Sequence, residues 1–459
     1  MSDSENGADP PLRSSYTCPG ELYSIPHSIH LARLAAFYTK CRECDHRFDG
    51  GHFSPRPEPS SLTAIPLPKP TQFMTGDGVR ATYLNELDRN RAIAWGAGLA
   101  ALLWEAQPML ARSAPNEAEK STWPDQTHKP AIVPTGPSVV VGFDERPSSP
   151  DIVTGVVLGL RRMGCPVIDL GQTSLPVLNL FVARENASAG LLVTGAGCDP
   201  AFTGFELVGR KVTPMSPGEL SQLVSYFQTG VGRQTRRIGS HHKLQGQATY
   251  EASLSVHFHA LRPLRIVCGS STRLLPRVLD RLFAALHCQL THVGLSTRQR
   301  NLFDIRDTDL QRLSQAVVDG HQHLGVLIDE DQQHTAFVTE QGRLVTTLEM
   351  ARLLMEVQLR ENSAAQFVLA NSWLEQAQGW LTGRDAIAID GGETASELVG
   401  CLNRHEASLA LSGDGRVWFR DTYPNCDAIL VLAQVLQALS LSDAPFSTVI
   451  NRISPNARH

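Results

Sequence analysis

The sequence lacks the features that define several classes of protein. It holds no uninterrupted apolar run long enough to span a bilayer, and residues 1–6 are polar and acidic where a secretory signal would be basic and then apolar. Lys and Arg total 41 against 46 Asp and Glu, a formal net charge of −5. No basic excess therefore favours a nucleic-acid partner. We expect a cytoplasmic protein with neither a nucleic-acid nor a membrane partner.

Cysteine is too sparse for a disulfide framework. Nine cysteines are spread over 459 residues, several of them in apolar stretches such as that around Cys165, and this pattern indicates reduced thiols. One group stands apart, because Cys41 and Cys44 form a C-x2-C pair with Cys18 upstream and His46 beside it. These four side chains could supply the N and S ligands that tetrahedral zinc prefers. A helical cap with inert thiols explains the same residues, and both interpretations stay open.

Length and composition divide the chain into segments. At about 150 residues a domain, 459 residues correspond to roughly three domains. Stretches rich in Pro, Ser and charge indicate tails and linkers. The predicted segments are a tail at 1–15, a small Cys/His module at 16–53, a Pro-rich linker at 54–70, α/β domains at 71–212, 213–362 and 363–440, and a C-terminal tail at 441–459.

The most informative region is residues 138–208. An apolar strand at 138–143 leads into Asp144-Glu145-Arg146, and a helix and two further apolar strands lead to the loop TGAGCDPAFTGF at 194–205. This pattern resembles the first domain of the α-D-phosphohexomutases, which interconvert hexose 1- and 6-phosphates. The resemblance implies three consecutive α/β/α domains with mixed sheets over residues 72–440.

The loop has lost the group on which the chemistry of that family depends. The family's loop reads T-G-S-H-N-P-P-x-Y-N-G-F, and its serine carries the phosphoryl group. Ungapped alignment puts Ala196 at the serine, and a methyl group cannot act as a nucleophile. Cys198 is a nucleophile two positions on, but a free cysteine is more often a small core residue. No catalytic residue is therefore assigned.

Two arginines match positions that the family uses at its active site. Residues 73–81, FMTGDGVRA, resemble the opening motif F-G-T-D-G-V-R-G, and the resemblance implies that Arg80 helps to hold phosphate. A guanidinium suits bidentate phosphate contact. Asp144 and Arg146 match the family's G-x-D-x-R, which implies an active-site position for Arg146. A structural role explains both places equally well, since Arg80 lies in a Gly-rich turn and Asp144 could cap the next helix.

The metal loop is only partly kept. Residues 325–338, GVLIDEDQQHTAFV, resemble the family's magnesium motif D-x-D-x-D-R at the end of an apolar strand. Asp329 and Asp331 remain, but Gln333 replaces the third acid and His334 the arginine. A neutral amide is a weaker ligand for a hard cation, so the resemblance implies weak magnesium binding or none. The alternative is an acidic strand end exposed to solvent.

The sugar loop is similarly altered. Residues 410–419, ALSGDGRVWF, are similar to the family's G-G-E-x-S-G-H-[IV]-x-F, with Ser412 at the glutamate, Asp414 at the serine and Arg416 at the histidine. Asp414 and Arg416 could still hydrogen-bond a polyol. Residues 413–415 are also typical of a hairpin turn, which is the interpretation we prefer.

Family enzymes continue into a fourth domain that grips the distal phosphate, whereas about twenty residues follow residue 440 here. We therefore expect that domain to be absent and the chain to be non-catalytic, binding a sugar phosphate or a protein partner. Two alternatives stay open. A partner chain could complete a divergent phosphoglucomutase or phosphomannomutase. A different enzyme could use the same cleft through Cys198, Asp199, Asp329, Asp331 and His334, provided that these residues converge.

Overall fold

The computed structural model describes residues 15–16, 22–36, 38–41, 44, 70–112, 136–233, 235–423 and 425–453. These belong to two compact units, Met1–Pro68 and Lys69–His459. In the first unit, strands Ser15–Tyr16 and Ile25–Pro26 pair in antiparallel fashion, and helix His27–Ala35 and a short 3-10 helix, Thr39–Cys41, follow. Cys18 and His46 lie outside the described residues, so the zinc site stays a prediction.

The second unit is α/β, as the sequence predicts, and it contains three mixed sheets in chain order. The first sheet has six strands, four of which are adjacent and pair in parallel. Strands buried on both faces read as almost continuous apolar runs, which explains the sequence VVVGF at the sheet centre. From edge to edge the strands are Gly78–Thr82, Phe202–Gly209, Ala189–Val193, Val139–Phe143, Val167–Gln172 and His241–Lys243.

Five helices accompany the first sheet. Trp95 and Leu99 on the first of them are buried beside Phe205 of the sheet, as helical spacing of apolar residues predicts. That helix is longer than the apolar spacing at 91–103 indicates. The helices are Arg89–Arg112, Ser149–Arg162, Leu175–Arg184, Pro217–Thr229 and Gln247–Ser255.

The second sheet has four strands. Three are parallel and the last, Thr335–Thr339, runs antiparallel to its neighbour. In sheet order they are Gln289–Gly294, Arg265–Ser270, Leu324–Ile328 and Thr335–Thr339, with helices Leu274–Phe283, Thr308–Asp319 and Thr347–Glu361.

The third sheet has five strands and ends in two antiparallel hairpin pairings. The last helix of the structure lies in the predicted C-terminal tail and packs through Phe446 and Ile450, which are both buried. Across the described residues, no helix is long and apolar enough to cross a membrane. The strands are Ile387–Asp390, Gln366–Leu369, Leu409–Leu411, Val417–Phe419 and Asn425–Cys426, and the helices are Asn371–Leu381, Ala395–His405, Ala428–Ser440 and Phe446–Ile453.

Candidate functional site

Ala196 lies in a loop that the surrounding scaffold holds in place. The loop follows strand Ala189–Val193, and the Gly195 N–H donates to Asp144 Oδ2 at 3.1 Å. The Ala196 N–H donates to Thr194 Oγ1 at 3.0 Å. Asp144 therefore supports the loop, and its carboxylate also accepts a hydrogen bond from the Ser149 hydroxyl rather than capping the helix backbone. The support for the loop is intact, although a methyl occupies the nucleophile position.

Arg80 is turned toward the protein itself. Its Nε–H donates to the Ala196 carbonyl at 3.2 Å and one Nη1–H to the Phe205 carbonyl at 3.2 Å. Nη2 forms an ion pair with Glu206. Burial raises the pKa of Glu206, and the Arg80 charge opposes that rise. The charge of the predicted phosphate-binding arginine is therefore paired with a carboxylate that is 6% exposed.

Arg146 joins the same loop to the second sheet. Its Nη1 donates to the Asp199 carbonyl and its Nη2 to the Cys198 carbonyl, both at 2.8 Å. Nη2 also forms an ion pair with Glu330 at 2.6 Å. Both side chains are at least nine-tenths buried. Arg146 thus clamps the loop through main-chain carbonyls and holds a carboxylate of the metal loop.

The carboxylate of Asp329, at the end of strand Leu324–Ile328, is paired with an arginine. Nη1 of Arg300 lies 2.8 Å from Asp329 Oδ1, and Nε of the same guanidinium lies 2.8 Å from Asp309 Oδ2. The Arg300 side chain is 1% exposed. Burial and the neighbouring Asp331 raise the pKa of Asp329 to about 6, although Arg300 opposes the rise.

Asp331 is paired with a histidine. Its Oδ2 bonds His334 Nδ1, and its Oδ1 accepts the backbone N–H of Gln333 at 2.8 Å. The other ring nitrogen of His334 lies 3.6 Å from Asp414 Oδ2. Although burial opposes the charge on each group, the pairing holds the pKa of Asp331 at about 2 and raises that of His334 to about 10. His334 is therefore cationic between two carboxylates.

The donor set does not fit Mg²⁺. The three carboxylates of the family motif would surround a hard cation with anionic oxygens, but here Gln333 turns its amide to Glu206, with Nε2 3.3 Å from Oε2. Arg300 and His334 already neutralise Asp329 and Asp331. Within the part of the chain that the structure describes, no group of three or more His, Cys, Asp or Glu could hold a metal ion.

The altered sugar loop is a hairpin turn, as predicted, between strands Leu409–Leu411 and Val417–Phe419. Arg416 Nε donates to Asp414 Oδ2 at 3.0 Å, and its Nη1 donates to Asp77 Oδ2 at 2.9 Å. The guanidinium also lies over the ring of Trp418, 5.2 Å from its centroid. The two carboxylates raise the pKa of Arg416 despite its burial. Arg416 is therefore fixed to the turn that precedes Arg80.

The four predicted substrate-binding residues, Arg80, Arg146, Asp414 and Arg416, are brought to one cleft between the three sheets. Each is paired with an internal charge. Between Glu206, Gln333 and Arg416 the cleft keeps a cavity of about 30 Å³, which has room for roughly two water molecules. Pockets for small ligands measure about 300–1,000 Å³.

Sequence reasoning missed three residues that govern this cleft: Glu206, Arg300 and Glu330. A signal existed for Glu206, because it is the one acid in the buried strand Phe202–Gly209. Arg300 belongs to a polar loop, and nothing in the sequence pairs it with Asp329. Among the residues suggested for a different enzyme, Asp331 bonds His334 directly. The main-chain carbonyl of Cys198 accepts a hydrogen bond from Arg146.

Comparison with known proteins points to one superfamily. Residues 127–231 match the family model of phosphoglucomutase/phosphomannomutase, alpha/beta/alpha domain I. A phosphoglucomutase of Neisseria gonorrhoeae is 20% identical over 318 residues, which are 68% of this chain and 69% of the relative. A phosphoglucosamine mutase of Chlamydia pneumoniae is 22% identical over 328 residues, 67% of this chain and 70% of the relative.

Solved structures show the same fold. A phosphoglucomutase/phosphomannomutase family protein from Burkholderia thailandensis superposes with a TM-score of 0.69 at 20% identity, covering 82% of this chain and 78% of that one. The parafusin (phosphoglucomutase) structure from Paramecium gives a TM-score of 0.59 at 12% identity, with 84% and 74% covered. The predicted resemblance to the α-D-phosphohexomutase superfamily is confirmed.

Proposed function

We propose, from this relationship to the phosphohexomutases, that the chain does not catalyse phosphoryl transfer and acts as a binding or scaffold protein. The observation that carries the proposal is the loop at residues 194–197, in which the nucleophile position is Ala196 and its carbonyl accepts a hydrogen bond from Arg80. The group that would receive the phosphoryl group is missing. The arginine that would hold phosphate is bonded to the loop itself.

The charges of the cleft support the same conclusion. A mutase stabilises the charge of the transferring group with preorganised cations and a metal. Here Arg80 is paired with Glu206, Arg146 with Glu330, and Arg416 with Asp77. A sugar phosphate would have to displace these pairs, two of which, Arg80–Glu206 and Arg146–Glu330, are buried, and a buried charge left without its partner is costly. We therefore favour a scaffold over a sugar-phosphate sensor.

The first experiment is a mutase assay on the purified full chain. Conversion of hexose 1-phosphates to 6-phosphates is followed by ³¹P NMR, with glucose, mannose and glucosamine phosphates each tested with and without Mg²⁺. We expect no conversion by the protein or by its Ala196→Ser variant, since the variant still lacks the third carboxylate of the magnesium motif and keeps Asp329 and Asp331 paired. Conversion that is lost on Arg146→Ala substitution would overturn the proposal.

A thermal-unfolding scan with the same compounds separates the two binding roles. A ligand that binds only the folded state stabilises it by about 2.7 kcal/mol at a concentration one hundred times its Kd, and the melting temperature rises accordingly. We expect no rise with any sugar phosphate or with Mg²⁺. A rise with one sugar phosphate that Arg80→Ala abolishes would replace the scaffold role with a sensor role.

The rival interpretation is a divergent mutase that a partner chain completes. It predicts that the chain copurifies with a second protein and that the complex converts hexose phosphates while either component alone does not. Activity of such a complex that requires Asp331 and His334 of this chain would favour it. Activity that is unchanged when both residues are substituted would leave this chain a non-catalytic subunit.

A further inference from the structure

A stretch of the chain carries positive charge without any acid. Residues 220–250 contain no Asp or Glu, yet they include Arg233, Arg236, Arg237 and Lys243. The whole chain has a net charge of −5, so its charge is unevenly distributed. Uneven charge of this kind creates a local potential that attracts partners of the opposite sign.

The structure gathers Arg233, Arg236 and Arg237 on one surface with the end of helix Ser149–Arg162. Nε of Arg161 donates to the Gly239 carbonyl at 2.9 Å, and Nε of Arg233 donates to the Arg162 carbonyl at 3.1 Å. The loop at 235–239 packs on the turn that follows the helix, so closely that a Cβ on Gly164 would lie 2.2 Å from Thr235 Cγ2. We call this surface the basic edge, and it comprises Arg161, Arg162, Arg233, Arg236 and Arg237.

The arginines of the basic edge differ from those of the cleft in their partners. Among the described residues none of the five arginines forms an ion pair, whereas the arginines of the cleft all do. Asp169 lies nearby, but it bonds His241 Nε2 at 2.9 Å. The helix dipole explains why Arg161 and Arg162 lie in a last helical turn. It does not explain Arg236 and Arg237, which are exposed and outside any helix.

Among the described residues, the basic edge borders the outermost strand of the first sheet and lies away from the cleft. Strand His241–Lys243 is the last strand of the first sheet, and its three side chains are exposed. A free strand edge presents unpaired main-chain groups to another strand. Ile238, which is 65% exposed, adds an apolar contact. Arg236 and Arg237 precede this parallel strand, whereas the cleft loops follow the carboxyl ends of neighbouring strands.

We propose that the basic edge and strand His241–Lys243 bind an acidic, extended segment of a protein partner. Arginine forks pair with carboxylates in bidentate geometry, and addition of a strand to a sheet edge is an established way to bind extended peptides. The overall negative charge disfavours a nucleic acid, which would be repelled beyond the basic edge. The exposed Ile238 side chain suits a peptide side chain better than a phosphate backbone.

Fluorescence anisotropy on the full-length protein tests the proposal. The probe is a labelled twelve-residue peptide of alternating Glu and Thr, and competitors are DNA and RNA oligonucleotides of equal charge. We expect saturable binding that Arg236→Glu/Arg237→Glu weakens by at least about tenfold, since like charges across an interface are strongly unfavourable. The matched control is Arg404→Glu/Arg452→Glu, which changes two exposed arginines elsewhere by the same charge and should bind as the original protein does.

Further variants examine the strand and the apolar contact. Substitution Ile238→Asp should also weaken peptide binding, while melting temperatures of all variants stay unchanged because these side chains are exposed. A peptide with Pro at alternate positions should bind more weakly, since Pro lacks the main-chain donor. Absence of peptide binding, equal loss in the control variant, or displacement of the peptide by oligonucleotides at lower concentration than by unlabelled peptide would overturn the proposal.

Discussion

His334 carries its charge between Asp331 and Asp414, where the family motif has an arginine. Removing that charge leaves Asp331, whose side chain is 11% exposed, without its cationic partner. Breaking one side of a buried ion pair destabilises a protein by about 3–5 kcal/mol. Because His334 is partly exposed, we expect His334→Gln to lower the free energy of unfolding by about 3 kcal/mol. Urea denaturation at pH 6.5 measures this change in the free energy of unfolding. The control is His287→Gln, because His287 is exposed.

The contribution of His334 depends on pH in a defined direction. Its pKa is raised to about 10 in the folded state, against about 6.5 in an unfolded chain. Between these values the folded protein binds a proton that the unfolded chain releases, so stability falls as the pH rises. The difference between the original protein and His334→Gln should be full at pH 6 and nearly gone at pH 10. A difference that stays constant over this range would contradict a charged His334.

Among single residues, the sequence predicts which positions lie in the cleft but not how they are paired. Ala196, Arg80 and Arg416 were located by local motifs, because short loops keep their residues together. Their partners are distant: Arg416 bonds Asp77, 339 positions away, and Arg146 bonds Glu330, 184 positions away. No local periodicity reports such a contact. The closure of the cleft therefore emerges only from the packing of three sheets.

Strand pairing in the first sheet depends on a glycine. Strands Gly78–Thr82 and Phe202–Gly209 approach so closely that a Cβ on Gly204 would lie 1.8 Å from the Val79 carbonyl oxygen. We expect Gly204→Ala to shift one strand and to lower the free energy of unfolding by about 3 kcal/mol, as severe overpacking does. The shift should also expose strand Gly78–Thr82 to hydrogen exchange. Gly218→Ala, whose Cβ would meet only Ser216 Oγ at 3.9 Å, should neither lower the free energy of unfolding nor speed exchange in strand Gly78–Thr82.

Helix Ala428–Ser440 begins at a buried acid. Asp427 Oδ1 accepts the Ile429 N–H at 2.9 Å, and Oδ2 accepts the Tyr250 hydroxyl at 2.8 Å. Ala at this position would remove the cap and leave a buried hydroxyl unpaired, so we expect Asp427→Ala to destabilise the protein by about 3 kcal/mol. Asp427→Asn keeps the cap through its Oδ1 and reverses the second hydrogen bond, because its amide Nδ2 can donate to the Tyr250 hydroxyl oxygen. Urea unfolding of the two variants at pH 4 tests this, and equal destabilisation by both would contradict it.

Asp427 also makes stability depend on pH, but here burial raises the pKa, whereas charged partners raise that of His334. Burial raises the pKa of Asp427 to about 6, although Tyr250 opposes the rise, so the folded protein keeps a proton that the unfolded chain loses from about pH 4 upward. Stability from this residue is thus present below pH 4 and falls as the pH rises to 6. Relative to the original protein, Asp427→Asn should become more stable when the pH is raised from 4 to 7.

The bounds of a helix are best predicted from the sequence where its side chains are buried along its whole length. The apolar residues at 427–439 predict a helix, and the structure has Ala428–Ser440, because apolar residues continue around most of its surface. The helix predicted at 91–103 extends to Arg112, since its last turns lose the apolar spacing on which the prediction rests. The predicted C-terminal tail contains helix Phe446–Ile453, whose short amphipathic pattern did not stand out in the sequence.

At the scale of the whole second unit, three ion pairs join the three sheets in a cycle. Arg146–Glu330 links the first sheet to the second, His334–Asp414 the second to the third, and Arg416–Asp77 the third to the first. Residues that share one network of contacts do not contribute independently to the free energy of unfolding. Substituting one member therefore changes the contributions of its neighbours. We expect these pairs to make the three sheets unfold together.

Hydrogen exchange followed by mass spectrometry tests this coupling. In the original protein, amides of the central strands Val139–Phe143, Leu324–Ile328 and Gln366–Leu369 should exchange with similar free energies, because each opens only on global unfolding. In Arg416→Ala, the third sheet loses its link to Asp77 and the Arg416–Asp414 pair within its own turn, and it should exchange faster than the other two. The control is Arg306→Ala, because the Arg306–Asp304 pair is exposed and such surface pairs contribute little to stability. If Arg416→Ala accelerates all three strands equally, the sheets are coupled by their apolar contacts and the ion pairs serve only to close the cleft.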